Sequence, residues 1–532
     1  MEYPFWKKNH YVSTSDSPFE CCHQITDDVL FNRHVIKEFR PHPGVTSKFA
    51  DWSNDDQLTE LNSLPDGGIK WRRIGKILVS SKEIGKGSNG TIIYEGKYDK
   101  RPDAAVKRLV RNYNHVASKE IDNLIASDWG ENIVRYYGVA YDDDFVYLAL
   151  ERCTCSLDDL IRALSDSSDN EFLDDQASMD DYKIKLGSIR DMMQDVNLWS
   201  ADNYPSPQLL KLMRDVVSGL SQLHGLRIIH RDLKPNNVLI TKYPFGAKLS
   251  DMGMSTFLPD GRSSLGSHAT SCGTKGWRAP EQILHSKCQK QAMDLFSLGC
   301  VLFFCITRGQ HPFGANMERE VNIAKGNLDL FLVNDMPEAY HLLSCLLSHK
   351  PESSWVNGKL LLMTNGPKAL EVLHHPFWWD SERRLSFLYD VSDKVDWEFK
   401  QYLQKIKKIK KSEVNKYKSA FPEELQKTAK PIFKFLKKEW DQIIDHEIMT
   451  DLRLQGFGAY NGGLVKDLLR AVRNKVSHHR NAPEEVQKIY GGYPDGLDAY
   501  LAGKFPRLLI ESYEVASKFC KDDDLLRKYF SF

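Results

Sequence analysis

The sequence predicts an α+β protein of more than one domain, and three observations carry that expectation. The short apolar segment Ala104-Ala-Val-Lys-Arg108, which follows the run holding Gly85, Gly87 and Gly90, reads as a buried strand. Apolar positions at helical spacing, Leu464, Val465, Leu468, Leu469 and Val472, read as an amphipathic helix near the C-terminus. With 532 residues, 41% of them hydrophobic, the chain can bury several cores.

Composition narrows the functional classes. Lys+Arg 72 against Asp+Glu 72 leaves no net charge, so any nucleic-acid binding must come from local segregation of charge. Such segregation exists: Asp166, Asp169, Glu171, Asp174, Asp175, Asp180 and Asp181 make Ser165 to Asp195 acidic, whereas Lys405 to Lys411 and Lys434 to Lys438 are lysine-rich. The first lysine run, interleaved with Ile406 and Ile409, reads either as the solvated face of an amphipathic helix or as an RNA groove. The 10 Cys are scattered without metal-ligand or disulfide-framework spacing, which suits a reducing compartment. The longest apolar run, Leu295 to Ile306, is too short to cross a bilayer, and Met1 to Lys8 lacks the apolar core of a signal peptide. A soluble, cytosol-facing protein with no membrane span is expected.

Taken in chain order, residues 1 to 77 carry no usable motif, and Trp52 to Gly68 is polar and turn-rich, as a linker would be. In Ile84-Gly-Lys-Gly-Ser-Asn-Gly-Thr-Ile-Ile93, Gly85, Gly87 and Gly90 let backbone amides approach phosphates with no Cβ in the way. Lys107, on the strand that follows, is placed to hold the α/β-phosphates, and Glu120, on a helix expected over Val116 to Ser127, to pair with it. His230-Arg-Asp-Leu-Lys-Pro-Asn-Asn-Val-Leu239 supplies Asp232 to accept a hydroxyl proton, Lys234 to offset γ-phosphate charge and Asn237 to hold a metal. Leu249-Ser-Asp-Met-Gly253 follows, where the hard carboxylate of Asp251 suits Mg²⁺ and Met252 stands in the usual place of Phe. Gly273-Thr-Lys-Gly-Trp-Arg-Ala-Pro-Glu281 closes the segment, with Ser255, Thr256, Ser263, Ser264, Ser267, Thr270 and Ser271 as phosphorylation candidates for pairing with Arg231.

Together these motifs resemble the protein kinases, which implies a bilobal fold, ATP and Mg²⁺ as cofactors, and an adenine site beside Glu151 and Cys153. A fold that merely retains ATP or ADP, with Lys107 and Asp251 as holding groups, is the alternative. One departure bears on it: the Arg that kinases place late in the second lobe, opposite the position of Glu281, is replaced by Gly366-Pro367. Residues 353–365 read as an insertion, and an unpaired Glu281 would destabilise the lobe. A second insert, 165–204, lies between Asp159, where one helix is expected to end, and Leu209, where the next begins; it reads as a mobile loop.

Beyond Leu385-Ser-Phe-Leu-Tyr-Asp-Val-Ser-Asp-Lys-Val395 stands Tyr460-Asn-Gly-Gly-Leu-Val-Lys-Asp-Leu-Leu-Arg-Ala-Val-Arg-Asn-Lys-Val-Ser-His-His-Arg480. Metal-independent RNA cleavage needs a base for the 2′-hydroxyl, an acid for the leaving 5′-oxygen and donors for the crowded phosphate, and these residue types meet the need. The segment resembles the kinase-extension nuclease (KEN) domain of the unfolded-protein-response kinase/endoribonucleases, relatives of ribonuclease L, in a plant-like form without the lumenal sensor and transmembrane helix. The resemblance implies Tyr460 as base, His478 as acid, Arg473 and Asn474 on the phosphate, and no nuclease cofactor. His479 beside His478 leaves the acid ambiguous on the residues alone, and it stands where the family has Tyr.

The expected organisation is an N-terminal segment over 1–77, a kinase domain over 78–378 and a mainly α-helical KEN domain over 379–532. The resemblance implies an autophosphorylating Ser/Thr kinase coupled to an endoribonuclease acting on RNA stem-loops, with a homodimer or a heterodimer with full-length relatives as the partner and recruitment to the endoplasmic-reticulum membrane through those partners. The competing expectation is a catalytically silent protein that binds nucleotide and pairs with active relatives.

Overall fold

In a computed structural model, the described residues are 70–87, 91–99, 101–110, 114–128, 130–165, 176–258, 273–284, 290–347, 354–356, 359–361, 368–406, 421–428, 438–456 and 458–530. They divide between two compact units: one holds residues up to Gly130 with Val134–Arg152, the other Glu131–Ile133 with Cys153–Phe532.

The first unit is an antiparallel sheet. Strands β1 (Trp71–Ile74), β2 (Ile77–Lys86), β3 (Ile92–Tyr98), β4 (Arg101–Val110), β5 (Tyr136–Tyr141) and β6 (Phe145–Glu151) run in the order β1-β2-β3-β4-β6-β5. Ile77, Val79, Val106, Tyr147 and Ala149 form its core. The strands pack closely enough that a Cβ on Gly96 would come within 2.3 Å of a Val106 methyl, so only glycine fits there. Helix α1 (Asn114–Ser127) begins two residues before the expected start.

The second unit opens with β7 (Cys155–Ser156) and α2 (Leu157–Leu164). The expectation that a helix ends at Asp159 is corrected: Ser156 caps α2 and Asp159 returns the bond from the third position, so the acid marks the helix start. The loop expected over 165–204 is corrected as well. Residues Gln176–Met192 form α3, and Lys185 Nζ lies 2.9 Å from each Asp159 oxygen while Arg190 Nε donates to Ala163 O at 2.7 Å. Tyr182, Leu186, Ile189 and Met193 recur at helical spacing and are half-buried or buried; the acidic composition masked that stripe. Asp166 to Asp175 lie outside the described residues.

Helix α4 (Pro207–Gly225), capped by Ser206 with proline in its first turn, starts two residues before Leu209. Short strands β8 (Ile228–Ile229), β9 (Val238–Thr241), β10 (Gly246–Leu249) and β11 (Thr256–Phe257) carry the loops described below. The apolar run Leu295 to Ile306 becomes most of α5 (Ala292–Ile306), buried from Met293 to Ile306 as a core helix. Beyond it lie α6 (Arg319–Lys325) and α7 (Pro337–Leu346). Within the expected insertion, β12 (Ser354–Val356) pairs with β13 (Lys359–Leu361); the other residues of 353–365 lie outside the description.

The extension includes α8 (Ser381–Ile406), α9 (His446–Leu454), α10 (Val465–His478), α11 (Glu484–Tyr490), α12 (Asp495–Lys504) and α13 (Leu508–Phe519). Trp440, Phe387, Phe421 and Phe505 anchor its core. The expected boundary at 378–379 falls inside this unit, where buried Trp379 packs on Phe387, Tyr513 and Tyr529. Arg384 on α8 pairs with Glu338 on α7 and Asp498 on α12, joining the kinase part to the extension. A buried relay does the same. The Phe377 amide donates to His375 Nδ1, so that ring carries its proton on Nε2 and donates to His341 Nδ1 at 2.8 Å, and His341 Nε2–H reaches Glu514 at 3.1 Å. Burial holds His375 well below the usual imidazole range, consistent with a neutral ring. Among the described residues no helix is long and apolar enough to cross a membrane. The lysines from 407 to 411 and from 434 to 437 lie outside the description.

Candidate active sites

In the first unit, β4 alternates so that Val106 enters the core and Lys107 turns to α1, where its Nζ meets Glu120 Oε1 at 2.6 Å. Both side chains are buried, and the ion pair offsets the desolvation that either charge alone would suffer. Gly85 is the next-to-last residue of β2, and the Gly87 amide donates to Thr91 O at 2.9 Å, which closes the glycine-rich hairpin. Gly90 lies outside the described residues. Glu151 closes β6, its carboxylate accepting from the Arg135 amide at 3.2 Å. Cys153 belongs to the second unit and is half-buried.

In the second unit, Asp232 is the most restrained polar group of the catalytic loop. Its Oδ1 accepts from the Thr274 amide and hydroxyl, both at 2.7 Å, and its Oδ2 from Lys234 Nζ at 2.9 Å and Asn237 Nδ2 at 3.0 Å. Lys234 Nζ also donates to Thr274 Oγ1. The loop itself hangs from Asp294, fully buried in α5, which accepts from the amides of His230 and Arg231 at 2.8 Å each and from His224 Nε2 at 2.9 Å. Burial raises the Asp294 carboxyl, but His224, His230 and the Arg231 amide outweigh it and hold the group below the usual carboxylate range. Arg231, at φ 72°, and Asp251, at φ 59°, both adopt left-handed backbone, a conformation that costs non-glycine residues energy and concentrates at functional loops.

Met252 is buried, so it does fill the apolar place of Phe. Ser255 is buried too, its hydroxyl donating to His230 O at 3.2 Å, and this geometry withdraws it from phosphorylation. Thr256 lies on β11; Ser263, Ser264, Ser267, Thr270 and Ser271 lie outside the described residues. Arg231 Nη1 donates to Met254 O. Glu281 is engaged in a polar interaction, so replacement of the late Arg by Gly366-Pro367 does not strand it.

In the extension, α10 presents Arg473 and Asn474 in its last turns and His478 at its end. Asn474 Nδ2 donates to the Tyr460 hydroxyl at 2.9 Å, so two of the four sequence-named residues touch. The ring of Tyr460 lies edge-on to Trp440 and beneath the Arg470 guanidinium, while burial pushes its phenol above the usual value. Arg473 reaches α8, where Nη1 lies 2.9 Å from Asp393 and 2.7 Å from Asp396. Lys475 is buried against Asp451 at 2.5 Å. His479 is committed elsewhere: its Nδ1 donates to Val476 O at 2.8 Å, and its ring stacks on Tyr493 at 3.9 Å. His478, at the end of α10, is half-buried.

Similarity to known proteins follows the same division. The protein kinase domain family matches residues 78–395, and the ribonuclease 2-5A family matches 384–530. The chain is 46% identical over 477 residues to serine/threonine-protein kinase/endoribonuclease IRE1a of Arabidopsis thaliana, covering 89% of this chain and 53% of that protein. It is 43% identical over 495 residues to the IRE1 kinase/endoribonuclease of Oryza sativa subsp. japonica, covering 93% and 49%. Against the inactive serine/threonine-protein kinase/endoribonuclease IRE1-like protein of Arabidopsis thaliana it is 34% identical over 478 residues, covering 86% and 79%. The chain belongs to the IRE1 family. It spans about half the length of IRE1a and of the rice relative.

A kinase domain of the IRE1 family implies ATP with Mg²⁺, and the residues fit the metal. Ser250 donates through both amide and hydroxyl to Asn237 O at 2.9 Å, which sets Asp251 beside Asn237 and offers hard oxygen donors, the kind Mg²⁺ prefers. Sequence reasoning missed Thr274, Asp294, Asp393, Asp396 and the Lys475–Asp451 pair. Asp294 had a signal, since a carboxylate opening an otherwise apolar helix is rarely buried without partners. Asp393 and Asp396 had only their spacing, which says nothing of what they face.

Proposed function

We propose that this chain is an ATP-dependent, autophosphorylating Ser/Thr kinase joined to a metal-independent endoribonuclease that cleaves RNA stem-loops from the cytosolic side. In the kinase, Asp232 orients and accepts the substrate hydroxyl proton, Lys234 balances phosphate charge, and Lys107 with Gly85, Gly87 and Gly90 holds the nucleotide. Asn237 and Asp251 would hold Mg²⁺, which supplies charge neutralisation at the phosphates when bound. In the nuclease, the 2′-oxygen forms the new bond to phosphorus as Tyr460, in its phenolate form, takes its proton, the bond from phosphorus to the 5′-oxygen breaks, and His478, as imidazolium, protonates that oxygen. Products carry a 2′,3′-cyclic phosphate and a 5′-hydroxyl.

The observation that supports activity over silence is the completeness of the Asp232 cluster, whose four accepted hydrogen bonds need every partner the motif supplies. The kinase part runs into α8 through buried aromatics, which supports coupling of nucleotide occupancy to a dimer that aligns two nuclease modules. The test is direct. Full-length chain with Mg-ATP and a fluorescent stem-loop RNA should incorporate phosphate and release cyclic-phosphate product, whereas absence of both activities would leave a nucleotide-binding partner of active relatives.

A further inference from the structure

Arg473 carries five N–H donors in one plane, and how they are shared decides what the residue can bind. Both hydrogens of Nη1 are taken, one by Asp393 Oδ1 at 2.9 Å and one by Asp396 Oδ2 at 2.7 Å. The two acids are three apart on α8 and so project from one side of that helix toward α10. Among the described residues, Nε and Nη2 make no hydrogen bond. That remaining edge is the one able to grip a phosphate with two parallel bonds. Asn474, the next residue, already holds the Tyr460 hydroxyl.

We propose that Asp393 and Asp396 are positioning residues of the nuclease: by saturating Nη1 they fix the guanidinium plane so that its Nε–Nη2 edge meets the scissile phosphate. The inference deepens the nuclease reading above and rests on it. An opposite role is conceivable in principle, with the acids acting as anionic decoys that RNA must displace. Geometry argues against it, because a decoy would occupy the bidentate edge, whereas these carboxylates take the other side. Asp393 is 42% exposed, so water screens much of its repulsion toward RNA.

Substitutions that keep or remove the acceptor separate the two roles. Asn retains a carbonyl oxygen for Nη1, and Ala does not. The double change Asp393→Ala with Asp396→Ala should lower kcat about 100-fold, as a misplaced group of about 1 Å does, with KM moving much less. The double change to Asn should restore most of kcat. Asp393→Ala alone, at the more exposed acid, should fall between them at about 10-fold, in a variant whose folding is not at risk. Equal losses in the Ala and Asn pairs, or faster cleavage by either, would overturn the proposal. A 2′-O-methylated stem-loop gives a readout free of chemistry: by fluorescence anisotropy, the Ala pair should bind it about 10-fold more weakly than the Asn pair. If the unsubstituted chain proves unable to cleave yet this order of binding holds, the cleavage reading fails and the positioning stands; identical binding by all variants sinks the positioning.

Discussion

The loop around Asp232 and the C-terminal end of α10 solve one problem differently, that of fixing a polar group in place. Asp232 is held by partners two, five and forty-two residues away, most of them within its own motif. Arg473 is held by acids 80 and 77 residues away, on another helix. A site braced by its own loop keeps its geometry whenever the loop folds, whereas a site braced across helices depends on how well those helices pack. The α10 site is therefore the more sensitive of the two to distant substitutions.

The largest effects should come from the reacting groups and should not cross between regions. Asp232→Asn should lower phosphate incorporation by about 10²–10⁴-fold, the usual contribution of a positioned acid or base, and leave stem-loop cleavage by a pre-formed dimer intact. His478→Ala should lower cleavage by a similar factor and leave phosphorylation intact. Incorporation of phosphate measured by mass spectrometry, beside a cleavage assay, checks both. A shared loss would mean that the sites cannot be treated as separable.

Next in size is Asp294→Asn. An uncharged amide there cannot serve two loop amides and His224 equally, and breaking a buried charged network costs about 3 kcal/mol. The sign of the pH effect follows from the lowered carboxyl: its stabilisation is complete above the ordinary carboxylate range and is lost as pH falls through the folded value. Denaturant titrations from neutral to acid pH should show the variant and the unsubstituted chain converging as the medium becomes acid. Curves that stay parallel would reject Asp294 as the anchor.

These contrasts explain what was legible. The fold class, the glycine-rich hairpin and the Lys107–Glu120 pairing could be read because they repeat local patterns with fixed offsets. The Tyr460–Asn474 contact is a family resemblance realised by a 14-residue separation on one turn and one helix. Helix α3 was hidden because acidic composition argued for a loop, although Tyr182, Leu186, Ile189 and Met193 keep helical spacing. Asp393 and Asp396 were unreadable for a stronger reason: nothing in a helix's own sequence names the residue on the helix packed against it.

A smaller effect tests the joint between the regions. His341 links α7, the turn at His375 and Glu514 on α13 through buried hydrogen bonds. His341→Ala leaves the His375 N–H and the Glu514 carboxylate without that partner, at about 2 kcal/mol. Chemical denaturation should report this loss. A variant as stable as the parent would show that the aromatic packing alone carries the joint.

The smallest expected effect is the most diagnostic. Phosphoryl transfer draws its charge neutralisation from Mg²⁺, so chelation should abolish it. The proposed RNA cleavage moves a proton onto the Tyr460 phenolate and off the His478 imidazolium, and takes its cation from the Arg473 guanidinium, which Asp393 and Asp396 push above its ordinary value against burial. No step then calls for a divalent ion. With the dimer held by cross-linking, so that loss of Mg-nucleotide cannot dissociate it, excess EDTA should change the cleavage rate by less than about twofold, within the range of ionic-strength effects on phosphate contacts. A drop of an order of magnitude, restored by added Mg²⁺, would show that the two regions share a metal-dependent chemistry and would end the distinction drawn between them.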